Sequence, residues 1–229
     1  MIIELFLGLM LSVIHIFGED VVDKFRKHSQ MKILSFGAGI SITYLFLQYL
    51  PELYSNVILT NKLIFIYVLL GFILLHLREK YIYQHVEKRR LLFELKEAHS
   101  LAFFLYHFAL GLIIVKLIQT NIMEGILLFI PILFHTTISN VSLGELHHHI
   151  KEHWGIRILL SLAPFAGVIF GIMVEIPDLV YLMLLGFVGG ALLYVIVRDV
   201  LPSERKGYVE YFLSGTIVYA LLIILTWML

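Results

Sequence analysis

The feature that most constrains this chain is a series of apolar stretches, each close to the length that a helix needs to cross a bilayer, about 20 residues. They lie at 2–18, 33–50, 57–77, 100–119, 122–144, 156–174, 178–198 and 209–228. Hydrophobic residues make up 60% of the chain and charged residues 15%, which is far from the composition of soluble domains. Strand-like alternation is absent, so we predict an all-α polytopic membrane protein with eight transmembrane helices in a single domain, 1–229.

The distribution of Lys and Arg predicts how these eight spans are oriented. Fifteen of the 17 basic residues fall in or beside the connections after spans 1, 3, 5 and 7, and the other face has only Lys62 and Lys116. Short basic connections are retained in the cytoplasm. We therefore expect a multi-pass protein of the cell membrane with both termini on the non-cytoplasmic side. Its first segment has no basic leader or cleavage site, so it is predicted to be a retained span.

The longest polar connection, 79–98, follows span 3 and mixes charges with apolar and aromatic residues. This pattern predicts a helical extension of span 3 and a cytoplasmic interfacial helix, with Lys and Arg near anionic headgroups. The chain has no cysteine, which excludes disulfides and thiolate ligands.

Two spans contain the same pattern in opposite predicted directions. Gly39–Pro51 and Gly190–Pro202 each open on glycine and close on Leu-Pro, with Tyr44 and Tyr194 close to the same register. Inverted repeats of this kind build many secondary transporters around a site at the bilayer midplane. The alternative is that small residues for close helix contact and a proline near a helix end recur by chance.

These segments resemble the ZIP family of metal-ion (zinc/iron) transporters. Phe36 to Glu52 looks like the family's second helix, Gly190 to Pro202 like its seventh, and Leu159-Leu160-Ser161 with Gly167 and Gly171 is similar to its sixth. The resemblance implies an inverted repeat of helices 1–3 and 6–8 around helices 4 and 5, with both termini outside. It also implies transport of a divalent cation, zinc or similar, toward the cytoplasm.

The family's metal motifs in helices 4 and 5 are only partly present here. Tyr106-His107-Phe108-Ala109-Leu110-Gly111 stands where the resemblance implies His-Asn-x-x-Asp-Gly, and His135-Thr136-Thr137-Ile138-Ser139-Asn140 where it implies His-Glu-x-Pro-His-Glu. The resemblance implies that Tyr106, His107, His135, Thr136, Ser139 and Asn140 line the transport pathway. It also makes His107 and His135 candidate metal ligands.

The residues themselves allow two interpretations of these polar positions. His135 and Ser139 are four apart, as are Thr136 and Asn140, so they share one helical stripe, at a depth similar to that of His107. Polar side chains within a span are functional candidates. Alternatively, each histidine is hydrogen-bonded to a hydroxyl or carbonyl across a helix interface. His15 is deep in span 1 and has no assigned role.

A second candidate metal site follows span 5 on the predicted cytoplasmic side. It consists of Glu145, His147, His148, His149 and His153. His149 and His153 would share a helix face with Glu145 one turn earlier, a spacing that can hold zinc. The alternative is a polar helix end whose histidines simply titrate.

Three functions remain open on the sequence. The first is a ZIP-like transporter that works by alternating access. The second is a non-transporting relative that senses metal or acts as a membrane scaffold through the cytoplasmic histidines. The third, an intramembrane metalloenzyme, would need more histidine boxes than the chain has, so we expect no enzyme activity and no resident cofactor. Expected partners are the bilayer, a metal cation and a second copy of the chain, with no nucleic acid.

Overall fold

The computed structural model describes residues 1–22, 27–59, 62–147, 154–201 and 207–228, and within these ranges all regular secondary structure is helical. The prediction of an all-α protein is confirmed over this part of the chain. The α-helices are α1 (Ile2–Val22), α2 (Lys27–Tyr44), α3 (Leu50–Leu59), α4 (Ile64–His85), α5 (Lys88–Thr120), α6 (Ile122–His147), α7 (Trp154–Ser161), α8 (Ala163–Met173), α9 (Asp178–Val195) and α10 (Val209–Trp227).

Four helical segments in the described ranges are long and apolar enough to cross a membrane: Ser29–Ser55, Ser100–Thr120, Asp178–Arg198 and Val209–Trp227. Shorter apolar helical segments lie at Ile2–Phe17, Ile122–Phe134 and Ala163–Met173. The predicted membrane character of the chain is thereby supported, because its longest helices carry continuous apolar runs.

Two π-helical segments interrupt the α-helical hydrogen bonding. The first, Leu45–Tyr49, joins α2 to α3, and the second, Ile196–Val200, follows α9. The N–H of Leu50 bonds to the carbonyl of Leu45, and that of Leu201 to the carbonyl of Ile196 at 2.9 Å. Proline lacks an N–H and its ring crowds the preceding turn, so a widened turn before Pro51 lets the helix continue to Leu59.

The two π segments occupy the same place in the two copies of the sequence pattern. The first begins six residues after Gly39 and the second six residues after Gly190. Each ends just before a Leu-Pro pair. The spacing from the glycine to the π segment and on to the Leu-Pro pair is therefore identical in the two copies, although the side chains between them differ.

The two glycines of the pattern also make equivalent contacts with neighbouring helices. A Cβ at Gly39 would collide with the carbonyl oxygen of Phe212 on α10, and one at Gly190 with the carbonyl oxygen of Val68 on α4. Only glycine allows the backbones to approach so closely. The helices therefore form two tight pairs, α2 with α10 and α4 with α9.

The remaining helices pack as a second group. α1 contacts α6, α7 and α8, and α5 packs along α8 and α6. Side chains at the centre of this group, including Leu110, Ile113 and Leu128, are completely buried. The helix that contains α7 and α8 is broken at Leu162, because Pro164 cannot donate to the α-helical ladder.

The connection at 79–98 is helical on both sides of a short break. Residues up to His85 continue α4, as predicted, Val86 is extended, and Lys88 begins α5. The second part of the connection is thus the first three turns of α5. Its position at a membrane interface stays a prediction.

Candidate functional site

His107 lies at the interface between α5 and α6 and is only 1% exposed. Its Nδ1 is 3.0 Å from the carbonyl oxygen of Phe103, one turn earlier in α5. Its Nε2 is 3.3 Å from the hydroxyl oxygen of Thr136 on α6. Because a carbonyl only accepts, the Nδ1–H donates to Phe103 and Nε2 carries the lone pair of the neutral ring.

A second buried histidine, His15 on α1, has the same tautomer. Its Nδ1 is 2.8 Å from the hydroxyl oxygen of Ser161 on α7. The Ser161 hydroxyl donates its single hydrogen to the carbonyl of Arg157 at 2.5 Å, so it accepts from the imidazole. The proton of the neutral His15 ring is therefore on Nδ1, and the lone pair on Nε2.

The two imidazoles are linked through one aromatic ring. Phe103 stacks on His107 with ring centroids 3.6 Å apart, and its centroid is 4.4 Å from that of His15. The His15 and His107 centroids are 6.3 Å apart. We call His15, His107, Thr136 and Ser161 the polar cluster, since all four are buried and they come from four different helices.

The structure brings two of the predicted pathway residues, His107 and Thr136, into contact, and the pathway itself stays a prediction. The depth of His107 made a contact with α6 geometrically possible, and its Nε2 lies against the Thr136 hydroxyl there. Tyr106 is buried, and its ring centroid is 5.1 Å from that of His107. α6 contains other predicted residues whose side chains lie outside the described part of the structure: His135, Ser139, Asn140, Glu145 and His147. His148, His149 and His153 lie outside the described residues.

Among the side chains that the structure describes, no group of three or more His, Asp or Glu residues has the spacing of a metal site. Among the described side chains, the Arg157 guanidinium lies beside the polar cluster and donates to the carbonyl of Ile16 on α1. The described donors that could hold a cation here are therefore neutral: the imidazoles of His15 and His107 and the hydroxyl of Thr136.

Sequence reasoning left His15 unassigned and did not select Ser161 as a site residue. The sequence signal of His15 was a polar side chain within an apolar span, which many structural residues share, and Ser161 stood out only as part of the Leu159-Leu160-Ser161 packing pattern. Their contact joins positions 146 residues apart, so it became visible only when α1 was placed against α7.

A second polar group, also missed by sequence reasoning, ties α4 to the second π segment. Arg198 forms an ion pair with Glu79, and the Tyr194 hydroxyl donates to the same Glu79 carboxylate at 2.7 Å. The Arg198 guanidinium also lies 5.9 Å from the centre of the Tyr194 ring. This group holds the end of α9 against α4.

Buried tyrosines secure the first π segment. The Tyr49 hydroxyl donates to the carbonyl of Leu185 on α9, and that of Tyr219 donates to the carbonyl of Leu127 at 2.5 Å. Tyr44 packs between them, with ring centroids 5.9 Å from Tyr49 and 6.5 Å from Tyr219. These contacts give the tyrosines a structural role.

Comparison of the chain with known proteins identifies no relative. No protein-family model matches the chain, and no curated protein matches its sequence. The repeated π segments and the polar cluster are therefore the features of the molecule that bear on its function.

Proposed function

We propose that this protein is a ZIP-like membrane transporter that moves a divalent metal cation, zinc or similar, toward the cytoplasm by alternating access. The observation that carries the proposal is the pair of π segments at matching positions after Gly39 and Gly190. π turns are rare and occur frequently at functional sites. Two of them in one register are what an inverted repeat would produce.

The helix pairs support the same repeat. In the proposed eight-span arrangement, α2 with α3 forms span 2, α4 span 3, α9 span 7 and α10 span 8. In an inverted repeat, spans 1, 2 and 3 correspond to spans 6, 7 and 8. The pair of spans 2 and 8 then corresponds to the pair of spans 7 and 3. Both pairs are tight in the structure, and the equivalent glycines lie in their interfaces.

The same correspondence between spans predicts equivalent helix contacts in the other group. α1, α5 and α6 would be spans 1, 4 and 5, and α7 with α8 would be span 6. The contact of span 1 with span 5 then corresponds to the contact of span 6 with span 4, and both are present. An inverted repeat with two such groups suits an elevator or rocking motion.

The polar cluster lies within one of the two groups, since its members come from α1, α5, α6 and α7. A cation bound there could move with that group relative to α2, α4, α9 and α10. Neutral imidazole suits borderline ions such as zinc, whereas magnesium and calcium require oxygen ligands. The lack of carboxylates among the described donors predicts weaker binding than at a site rich in carboxylates.

Metal flux into proteoliposomes tests this proposal. Uptake of zinc, manganese, iron, cobalt and cadmium would be compared for the native chain and the double variant His107→Ala/His135→Ala. A matched control is His85→Ala, because His85 is exposed on α4 and its ring bonds one turn back within the same helix, to the Tyr81 carbonyl at 3.0 Å.

We expect native flux for at least one ion, loss of that flux in the double variant and no change in the control. Undiminished flux in the double variant would refute the proposed pathway. No flux for any ion, with metal retained by the cytoplasmic histidines, would instead support the sensor or scaffold function.

A further inference from the structure

We propose that the hydrogen bond from Tyr219 on α10 to Leu127 on α6 is a latch between the two groups of helices, and that Pro131 makes this latch possible. The inference concerns the conformational equilibrium of the protein and rests on the proposed function for its link to alternating access. The opening of the latch can be measured without any ion. One group contains α2, α4, α9 and α10, and the other contains α1, α5, α6, α7 and α8.

A proline inside α6 deprives one backbone carbonyl of its helical donor. The helix runs from Ile122 to His147 and contains Pro131. In an α-helix the N–H of residue 131 would bond to the carbonyl of residue 127, and proline has no N–H to donate. Leu127 is only 1% exposed, so bulk water cannot take the place of the missing donor. The Leu127 carbonyl therefore needs a partner from another helix.

The Tyr219 hydroxyl supplies that partner. It donates to the Leu127 carbonyl oxygen at 2.5 Å, and Tyr219 is only 2% exposed. The tyrosine ring packs beside that of Tyr44 on α2, with centroids 6.5 Å apart, and this contact helps to hold the hydroxyl in place. A buried carbonyl without a donor is costly, so this bond contributes more than one to a carbonyl that already has its helical partner.

The bond crosses the boundary between the two groups of helices. α10 packs along α2 in one group, whereas α6 packs along α1 and α5 in the other. A second polar contact crosses the same boundary, the ion pair of Lys116 on α5 with Asp178 on α9 at 2.9 Å. Both contacts lie in the half of the bundle where α5 ends and α6 begins. The structure therefore describes a state in which the two groups are held together in this half, which is predicted to face away from the cytoplasm.

The surroundings of the bond determine when it can break. If one group slid along the other in a dry interface, the Tyr219 hydroxyl and the Leu127 carbonyl would both lose their partner, and each loss is unfavourable. Water that enters an opened interface would satisfy both groups instead. The latch therefore favours the closed state over intermediate positions, and it opens when this half of the boundary becomes hydrated.

The experiment measures the distance between spin labels on the two groups, with the full chain in lipid nanodiscs. Because the chain has no cysteine, labels can be attached at Met173→Cys on α8 and Leu225→Cys on α10, positions that are 78% and 62% exposed. Tyr219→Phe removes the hydroxyl and keeps the ring. Tyr49→Phe is the matched control, because the bond from Tyr49 to the Leu185 carbonyl is also buried but lies within one group.

We expect a single main distance in the native chain. Tyr219→Phe should increase the population with a longer distance by about fivefold or more, because it removes a buried hydrogen bond that forms in only one of the two states. Tyr49→Phe should lower the melting temperature and leave the distances as in the native chain. A purely structural role of Tyr219 would likewise lower the melting temperature without the longer distance.

Pro131→Ala tests the physical origin of the latch by thermal unfolding. Alanine restores an N–H that can bond to the Leu127 carbonyl, so the loss of the Tyr219 hydroxyl no longer leaves that carbonyl without a donor. In this background, Tyr219→Phe should lower the melting temperature by at most about half as much as in the native background.

The proposal is wrong if Tyr219→Phe leaves the distances as in the native chain, or if it lowers the melting temperature equally in the two backgrounds. Phenylalanine keeps the buried ring, so the variant is expected to fold, and its elution profile would confirm this. A longer distance in Tyr219→Phe, without flux of any ion through the native chain, would keep the latch and refute transport. Native flux, with unchanged distances in Tyr219→Phe, would refute the latch and keep transport.

Discussion

Replacement of Gly190 by alanine should separate α9 from α4, and its cost can be worked from the structure. The new Cβ would collide with the Val68 carbonyl oxygen and lie 2.9 Å from the Phe72 nitrogen. Both obstacles are backbone atoms of a helix, so no side chain can rotate away. Overpacking costs about 1 to 3 kcal/mol, and contact with rigid backbone favours the upper value.

A gain in helix propensity opposes this cost. Alanine is better than glycine within a helix by about 1 kcal/mol, so the net loss of stability is about 2 kcal/mol. For a chain of this size, about 1 kcal/mol shifts the melting temperature by about 2 to 4 °C, which predicts a decrease of about 4 to 8 °C.

Gly155→Ala is the matched control, because Gly155 lies in α7 and a Cβ there meets nothing within 4 Å. It should not lower the melting temperature, because the added methyl group meets nothing and alanine is better than glycine in a helix. The assay is thermal unfolding of both variants and the native chain in one detergent. A Gly190→Ala protein that melts at or above the native temperature would refute the close α4–α9 contact.

Three further predictions follow, one from the distribution of Lys and Arg and two from other contacts. In this cysteine-free chain, a cysteine at Asn121 should react with an impermeant maleimide from outside intact cells, and one at Tyr83 only after permeabilisation; the reverse pattern would overturn the orientation predicted from Lys and Arg. A double-mutant cycle with Glu79→Gln and Arg198→Met should show a coupling of about 1 kcal/mol in thermal unfolding, because the pair is partly exposed; additive effects would contradict the ion pair. Tyr49→Phe should lower stability by about 1 kcal/mol through loss of the bond to Leu185, and the exposed Tyr83→Phe should not; equal melting temperatures for the two variants would contradict the bond.

Most of the secondary structure could be predicted from the sequence, because long apolar runs favour helices over any other structure in a bilayer. The ends of helices were harder to predict. The second span was expected to end near Pro51, yet the helix continues to Leu59 after the π segment. Proline normally indicates a helix end, and only the widened turn before it allowed the continuation.

In the candidate site, too, some features could be predicted from the sequence and others depend on how the helices pack. The depth of His107 in its span made a contact with span 5 geometrically possible, and the structure shows it against Thr136 there. His15 carried no comparable signal, since one imidazole in an apolar helix is compatible with many partners. Its contact with Ser161 depends on how α1 and α7 pack, and packing is decided by small residues and side-chain shape along whole helices.

The sequence by itself determined that the chain is helical and apolar and that it contains one pattern twice. Composition and periodicity are local properties, and each helix satisfies its own backbone hydrogen bonds without help from its neighbours. The tertiary structure decided which polar side chains meet: His15 with Ser161, His107 with Thr136, and Glu79 with Arg198. The first and third pairs come from helices far apart in the chain and the second from two consecutive helices, so all three depend on how the helices pack against one another.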